Sequence, residues 1–301
     1  MLKTNGAINK RIIEHLKKLL KIYNFSLDEK IMKNKKMLKN ITALGIGDIL
    51  ITFNLLKFKF IKGPIIFNLY HYLVEPSWYP EPINAMDFRI KFIKKILTDN
   101  NFSEKDIVFV VYNSKYLNCH NNELKNFLSK EYWSLNLSID KTLPSNILPG
   151  KYIVFHTKFR MFAGYEYNKV KEIMKTFYQN LKFNMPLVLL GEQEMVDSIE
   201  AVHHGITTIY NELLQLKIHN IVIDLTKKII YNTLDINEYI YDINIIKNAY
   251  KNILIGCGGQ FCSCLTFNGN NTITFIDKDC DAIKHINNFL INDVVFNDIN
   301  K

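Results

Sequence analysis

The sequence alternates short apolar runs with longer amphipathic stretches over most of its length. Runs such as DIVFVVYN, KYIVFHT and PLVLLG have the length and the β-branched content of buried strands, whereas FRIKFIKKIL between them has helical spacing. Because a strand–helix–strand repeat joins parallel strands, the pattern predicts parallel sheets with helices on both faces. The predicted fold class is α/β.

The length of 301 residues favours two domains of roughly 150 residues each. A polar stretch, SIDKTLPSNILPGK, separates two series of alternating strands and helices. We therefore expect a basic amphipathic helical segment over 1–38, a Rossmann-like domain over 39–148, and a second Rossmann-like domain over 149–301. The two sheets are expected to face a central cleft.

Most of the formal net charge of +9 comes from residues 1–40, which hold eleven Lys or Arg and three acids. Within them, residues 8–23 read INKRIIEHLKKLLKIY, which predicts a helix with one apolar and one basic face. Two interpretations stay open: a surface helix packed on its own domain, or a helix docked on an anionic membrane as a peripheral anchor. Nucleic acid is the less favoured partner, because a basic segment does not account for the glycine motifs described below.

The five cysteines are Cys119, Cys257, Cys262, Cys264 and Cys280. This odd number, in a chain of this size, favours a reducing cytoplasm over a disulfide scaffold. The N-terminus lacks an apolar run followed by a small-residue cleavage site, and the apolar stretch 49–69 is interrupted by lysines. We therefore expect a cytoplasmic protein without a signal peptide or a membrane span.

The stretch TALGIGDILIT places Gly45, Gly47 and Asp48 between a strand and a helix. The third glycine of a dinucleotide fingerprint is missing, because Leu50 occupies its position. Asp48 then has two interpretations. It caps the helix, or it stands at the carboxyl end of a parallel strand as a base that accepts a proton from a substrate hydroxyl.

Two motifs of the second half suggest a phosphate and sugar site. His156, Lys158 and Arg160 follow the first strand and alternate, so they share one face of an extended segment and could grip a diphosphate; a solvated loop is the alternative. Glu192 follows the next strand in LLGEQE, where its carboxylate could hold sugar hydroxyls or simply begin a helix.

The third motif of this half, ILIGCGGQFCSCL, joins a strand to a helix through a glycine-rich turn whose backbone amides could cradle phosphate. Its candidate residues are Gly256, Gly258, Gly259 and Gln260. Three cysteines in the motif invite a metal interpretation, but paired C-x-x-C units are missing. Buried packing is therefore favoured for them, and no metal site is predicted.

Taken in order, these motifs resemble the GT-B glycosyltransferases, in particular the heptosyltransferase-like glycosyltransferase family 9. GIGDILIT resembles the family's G-x-G-D turn, YIVFHTKFR its phosphate-contacting loop, and LVLLGEQE and LIGCGGQFCSCL its later strand-end motifs. The resemblance spans about residues 40–280. The family's acid and Ser/Thr-Gly are replaced by Cys257 and Gly258-Gly259, and Cys262 stands near its histidine, which indicates a divergent branch.

The resemblance implies an inverting, metal-independent sugar transfer from a nucleotide sugar to a hydroxyl of a glycan or lipid-linked acceptor, as in polysaccharide biosynthesis. Asp48 would be the base, and Lys158, Arg160 and the amides of Gly258 and Gly259 would stabilise the nucleoside diphosphate. No cofactor beyond the donor substrate is implied. The alternatives are a nucleotide-sugar epimerase of the same architecture and a non-catalytic protein that binds through its basic N-terminus.

Overall fold

The computed structural model describes residues 10–27, 41–74, 82–111, 134–135, 137, 148, 150–160, 182–194, 206–228, 235–255, 259–275 and 296–297. The chain divides into two compact units. Unit 1 comprises Met1–Phe127, Leu135–Ser138 and Asn232–Ile236, and unit 2 comprises Leu128–Ser134, Ile139–Tyr231 and Asn237–Lys301. The domain boundaries expected after residues 38 and 148 stay predictions.

Unit 1 is built on three parallel strands in the order β1-β2-β3. Its elements are α1 (Lys10–Ile22), β1 (Ile41–Thr42), α2 (Ile46–Lys57), β2 (Ile65–Asn68), α3 (Tyr70–Val74), α4 (Pro82–Asp99) and β3 (Ile107–Val110). The strands read as continuous apolar runs because they are covered rather than solvated, as parallel strands are.

A series of phenylalanine rings in contact lies in the core of unit 1, and the pair Phe67–Phe109 is stacked. Phe53 of α2 lies 6.2 Å from Phe67 of β2, Phe67 lies 5.6 Å from Phe109 of β3, and Phe109 lies 5.2 Å from Phe25, measured between ring centroids. Aromatic rings at these separations attract each other beyond the area that they bury. These contacts fix α2 on the sheet.

The apolar face of α1 packs inside unit 1. Ile12, Leu16, Leu19 and Leu20 are buried, and the helix contacts α4. Of the two interpretations of this helix, the described residues therefore agree with packing on its own unit. None of the described helices is both long enough and apolar enough to cross a membrane.

Unit 2 is built on a parallel sheet with the order β10-β9-β8-β4-β5-β7, to which β6 adds an antiparallel partner for β4. Its elements are β4 (Ile153–Arg160), β5 (Leu187–Leu190), β6 (Ile206–Thr208), α5 (Tyr210–Leu213), β7 (Val222–Asp224), α6 (Ile236–Asn248), β8 (Lys251–Ile255), α7 (Gly259–Asn268), β9 (Thr272–Phe275) and β10 (Phe296–Asn297). The α/β class with parallel sheets is confirmed.

The strand order of unit 2 has a functional consequence. With β6 set aside, the first strand of the sheet, β4, lies between the second, β5, and the fourth, β8. This is the order of the Rossmann folds, whose chain reverses direction across the sheet between its first and fourth strands. Ligands of such sheets bind outside the carboxyl ends of the strands at that point.

Two local details differ from the sequence expectations. His156, Lys158 and Arg160 lie within β4 rather than beyond it, because β4 finds a second partner in β6 and stays extended. Glu192 does not begin a helix; it forms a parallel bridge with Lys227. Its backbone therefore prolongs the sheet by one bridge beyond β5.

The packing of α1 predicts a large difference between two aliphatic truncations. Leu16→Ala should lower the free energy of unfolding of unit 1 by about 2–5 kcal/mol, because Leu16 is fully buried. Ile22→Ala, in the same helix but 71% exposed, should change it by less than about 0.5 kcal/mol. Hydrogen exchange of the β3 amides measures both effects, and equally small changes would contradict this packing.

Candidate functional site

β4 changes its strand partner partway along its length. β4 pairs with β5 as far as His156, which lies opposite Leu190, and with β6 from Lys158 onwards. Against β8 the register shifts between Phe155 and Phe159. The segment 156–158 is therefore a bulge in the second half of the central strand, and bulges beside functional sites redirect side chains.

The backbone of Glu192 is held on two sides. The Thr208 hydroxyl donates to the Glu192 carbonyl at 2.9 Å, and the Lys227 amide donates to the Gly191 carbonyl at 2.9 Å. The Gln193 amide donates to the Lys227 carbonyl at 2.8 Å. Because the main chain is fixed between β6 and the segment after β7, the Glu192 side chain has a defined starting position.

The Glu192 carboxylate is buried beside Lys158 and short of hydrogen bonds. Its Oε1 lies 3.9 Å from the Lys158 Nζ, and the two side chains are 7% and 29% exposed. This separation is longer than a charge-assisted hydrogen bond, which is about 2.7–2.9 Å. The buried Oε2 has no hydrogen-bond partner. A buried carboxylate oxygen without a partner is costly, so the position favours a donor supplied by a ligand.

Thr157 and Gln260 converge on the turn that carries Glu192. Gly191 has φ +121°, and a Cβ placed there would lie 2.4 Å from the Thr157 Oγ1 and 3.2 Å from the Gln260 Nε2. The Thr157 hydroxyl is fully buried without a hydrogen-bond partner, and Gln260 lies in the first turn of α7. The bulge, the turn after β5 and the α7 N-terminus therefore meet at Gly191.

This arrangement places a carboxylate, Glu192, and an ammonium group, Lys158, within 3.9 Å of each other. The Glu192 carboxylate can accept hydrogen bonds from ligand hydroxyls. Lys158 and the N-terminus of α7 favour an anion, since the first amides of a ten-residue helix and its dipole attract negative charge. The chemistry suits a ligand that carries both hydroxyls and phosphate.

His156 lies in the core rather than on a solvated loop. It is 1% exposed, and its Nε2 is 3.2 Å from the Cys264 Sγ. Burial lowers the pKa of His156 to about 4. Burial also raises the pKa of the Cys264 thiol. Both groups are neutral near pH 7, so His156 supports the bulge and adds no charge to the site.

In unit 1, Asp48 lies in the first turn of α2 and its carboxylate folds back over the N-cap. A Cβ at Gly45, the N-cap residue, would lie 2.5 Å from the Asp48 Oδ2. Gly45 makes no side-chain cap, and Gly47 is the second residue of the helix. A side chain at residue 45 would require the Asp48 carboxylate to move. The position of Asp48 agrees with a helix N-terminal acid and leaves the role as a base a prediction.

Several predicted site residues are only partly described. Arg160 pairs through its backbone with Ile206, and Gly259 begins α7. Gly256, Cys257 and Gly258 lie outside the described residues. Cys262 and Cys264 are buried free thiols, as the packing interpretation expects.

No group of three or more metal-ligating side chains occurs in the part of the chain that the structure describes. The sequence does contain Asp-x-Asp, at Asp277–Asp279 and Asp279–Asp281, among residues that the structure leaves undescribed. Metal independence therefore stays a prediction, and it needs a direct test.

Sequence reasoning missed Thr157 and Thr208. Both are threonines within strands, where β-branched residues are common for packing reasons alone. The contact of Thr157 with Gly191 depends on the bulge of β4, and the hydrogen bond from Thr208 to Glu192 depends on β6. No apolar run in the sequence predicted β6. One signal in the sequence could have indicated these residues: Thr157 and Lys158 interrupt the first apolar strand of the second half.

Gly191 provides a test of this local geometry. Gly191→Ala should destabilise unit 2 by about 2 kcal/mol or more, because alanine is strained at this φ and its Cβ would collide with the Thr157 hydroxyl. Gly150→Ala is the matched control, since nothing lies within 4 Å of a Cβ there. Denaturant unfolding measures both variants, and a Gly191→Ala protein as stable as the control would refute the convergence at Gly191.

Asp242 of α6 predicts a pH dependence. Burial raises its pKa to about 6, although Lys227 at 3.5 Å favours the ionised form. The folded state therefore holds a proton that the unfolded chain has lost, and this contribution to stability falls as the pH rises from about 4 to about 6. Asp242→Asn should lose that dependence, which amounts to at most about 3 kcal/mol.

Hydrogen exchange of the α6 amides between pH 4 and pH 6.5 measures the effect of Asp242→Asn. Glu238→Gln is the comparison, because Glu238 also lies 3.5 Å from the Lys227 Nζ but is 56% exposed; since its charge raises the pKa of Asp242, its loss should move the pH profile to lower pH without abolishing the pH dependence. If the stability of Asp242→Asn and that of the wild type change in parallel with pH, the folded protein does not hold a proton on Asp242 in this pH range.

No related protein was found that bears on this site. Comparisons of the chain with protein-family models, with curated proteins and with solved structures found no match. A function for this chain must therefore be argued from its own residues and their arrangement.

Proposed function

We propose that this protein is an inverting, metal-independent glycosyltransferase of GT-B architecture. It transfers a sugar from a nucleotide-sugar donor to a hydroxyl of a glycan or lipid-linked acceptor. Unit 2 binds the donor, unit 1 supplies the acceptor side, and the reaction takes place in the cytoplasm at the membrane surface, where lipid-linked acceptors are accessible. The order of motifs along the sequence supports the family, and the arrangement in unit 2 supports the donor site.

One observation carries the donor-site proposal: the buried Glu192 Oε2, which has no hydrogen-bond partner, lies in a carboxylate beside Lys158 at the reversal point of a Rossmann strand order. A nucleoside diphosphate carries ribose hydroxyls, which are donors, and phosphates, which are anions. The Glu192 carboxylate can accept hydrogen bonds from the ribose hydroxyls, and the Lys158 ammonium can bind the phosphates. A purely anionic ligand would leave the Glu192 Oε2 without a hydrogen-bond donor.

During transfer, negative charge develops on the departing diphosphate as the bond to the sugar breaks. Lys158, together with the first-turn amides of α7, stabilises that charge in a partly buried setting. Arg160, two residues along β4, is proposed to act on the same phosphates. The groups are held in place before the reaction by the bulge and by the clamped turn at Gly191.

Asp48 is proposed as the base. Its carboxylate accepts the proton of the acceptor hydroxyl while the hydroxyl oxygen attacks the anomeric carbon from the face opposite the diphosphate, which inverts that centre. Support comes from the half-buried position of Asp48 at the strand-to-helix turn and from the glycine that the carboxylate folds over.

Donor binding is tested by ligand-induced stabilisation. A thermal-shift screen of nucleoside diphosphates identifies the best ligand, because a molecule that binds only the folded state raises the melting temperature. Calorimetry should then show binding about tenfold weaker or more for Glu192→Gln, which loses charge-assisted hydrogen bonds to the ligand. Glu194→Gln, an exposed neighbour in the same turn, should bind as the wild type does.

If Glu192→Gln binds the nucleoside diphosphate as tightly as the wild type does, Glu192 is not part of the donor site. Equal weakening in both variants would also contradict the proposal, since it would report a general charge effect rather than contact with the ligand. The melting temperature without ligand shows that each variant is folded.

Turnover tests the base. Asp48→Asn should bind the nucleoside diphosphate normally but transfer sugar at least about 100-fold more slowly, as expected for loss of a general base. Asp87→Asn, which removes a carboxylate on α4 that pairs with Lys91 in the same unit, is the control. Retained turnover in Asp48→Asn would exclude Asp48 from the mechanism.

The same assay separates the remaining alternatives. Sugar transfer should depend on an acceptor and should persist in EDTA. Conversion of the donor without any acceptor would indicate an epimerase instead. Activity that is lost in EDTA and restored by a divalent cation would contradict metal independence and direct attention to the Asp-x-Asp segment.

A further inference from the structure

The helix α1 has one buried face and one exposed face. Its large aliphatic residues are buried in unit 1, as described above, so its apolar face is occupied by the protein itself. An amphipathic helix that enters a membrane does so with that face. Insertion of α1 by its apolar face is therefore excluded while unit 1 stays folded.

The outward face of α1 is strongly cationic. Five exposed basic residues stand on it: Lys10, Arg11, Lys17, Lys18 and Lys21. Glu14, 3.7 Å from the Lys17 Nζ, is the one acidic residue in the helix. The helix therefore carries a net charge of +4 within 13 residues, over a length of about 20 Å.

The cationic surface continues past the end of the helix. Lys21 and Lys105 line the same groove, of about 660 Å³, between the C-terminus of α1 and the start of β3. Lys105 is exposed, and Glu104 beside it forms an ion pair with Lys94. The carboxylate is thus partnered within the protein, and the lysines of the groove face solvent.

A single exposed aliphatic residue lies at this end of the surface. Ile22 is 71% exposed, directly after Lys21. Large aliphatic residues surrounded by lysines suit the boundary between lipid headgroups and acyl chains. Single-stranded nucleic acid is instead held by exposed aromatic rings on which bases stack. The aromatic residues that follow the helix do not serve this purpose, because Tyr23 is half-buried and Phe25 is buried.

We propose that the outward face of α1, extended by Lys105 and ending at Ile22, docks on anionic lipid bilayers. The attraction is electrostatic, and each lysine near an anionic surface adds to it. Ile22 provides one shallow apolar contact. This surface is independent of the donor site, so membrane binding and sugar transfer can be tested separately.

Sedimentation of the full-length chain with vesicles tests the surface. The chain should bind vesicles of phosphatidylcholine mixed with phosphatidylserine, should not bind pure phosphatidylcholine, and should be released by salt, which screens exposed charges. The variant Lys10→Glu, Lys18→Glu, Lys21→Glu should bind about 100-fold more weakly. Because glutamate favours helices as well as lysine does, the fold should survive.

A matched variant controls for net charge. Lys182→Glu, Lys228→Glu, Lys247→Glu makes the same change of charge at exposed sites of unit 2 and should keep vesicle binding. Ile22→Ser should weaken binding by a few-fold only, in proportion to one shallow apolar contact.

Three results would overturn the proposal. The first is retention of vesicle binding by the α1 variant. The second is equal loss in both charge variants. The third is failure to bind anionic vesicles while a single-stranded RNA binds and is released by the α1 substitutions, which would make nucleic acid the partner. Circular dichroism and the melting temperature verify that the variants are folded.

Discussion

The partner change of β4 sets the geometry around Lys158 and Glu192, on which the proposed donor site of unit 2 depends. A strand that stayed paired with β5 and β8 to its end would hold Thr157 and Lys158 in a regular ladder. Instead the chain bulges against β8 and turns to β6 after His156. Rossmann-type sheets bind ligands at the carboxyl ends of their strands, and beyond the bulge the Lys158 Nζ lies 3.9 Å from the Glu192 Oε1.

The surroundings of the bulge keep it in one conformation. On one side the neutral contact between His156 and Cys264 fills the core, and on the other the turn at Gly191 is fixed by hydrogen bonds to Lys227. The positive φ of Gly191 allows this turn to approach Thr157 without a side chain between them. This support holds the buried Glu192 Oε2, which has no hydrogen-bond partner in the described structure, in one position, and the proposed donor site depends on that preorganisation.

Much of this could be predicted from the sequence, and the rest could not, for physical reasons. The apolar runs predicted the parallel strands because buried strands must be apolar, and the glycine-rich turns predicted where helices begin. The burial of His156 could not be predicted, because a histidine alternating with cations looks the same whether it faces a cavity or a core. The clamp on Glu192 depends on β6 and Lys227, which are distant in sequence and meet only after the sheet is assembled.

The central claim is that Glu192, Lys158 and the first turn of α7 bind a nucleoside diphosphate. A crystal structure of the protein with the nucleoside diphosphate that stabilises it most tests this directly. The account predicts a ligand hydroxyl about 3 Å from the Glu192 Oε2 and the phosphates at Lys158 and the α7 N-terminus. A ligand bound elsewhere, with the Glu192 carboxylate still lacking a hydrogen-bond donor, would contradict it.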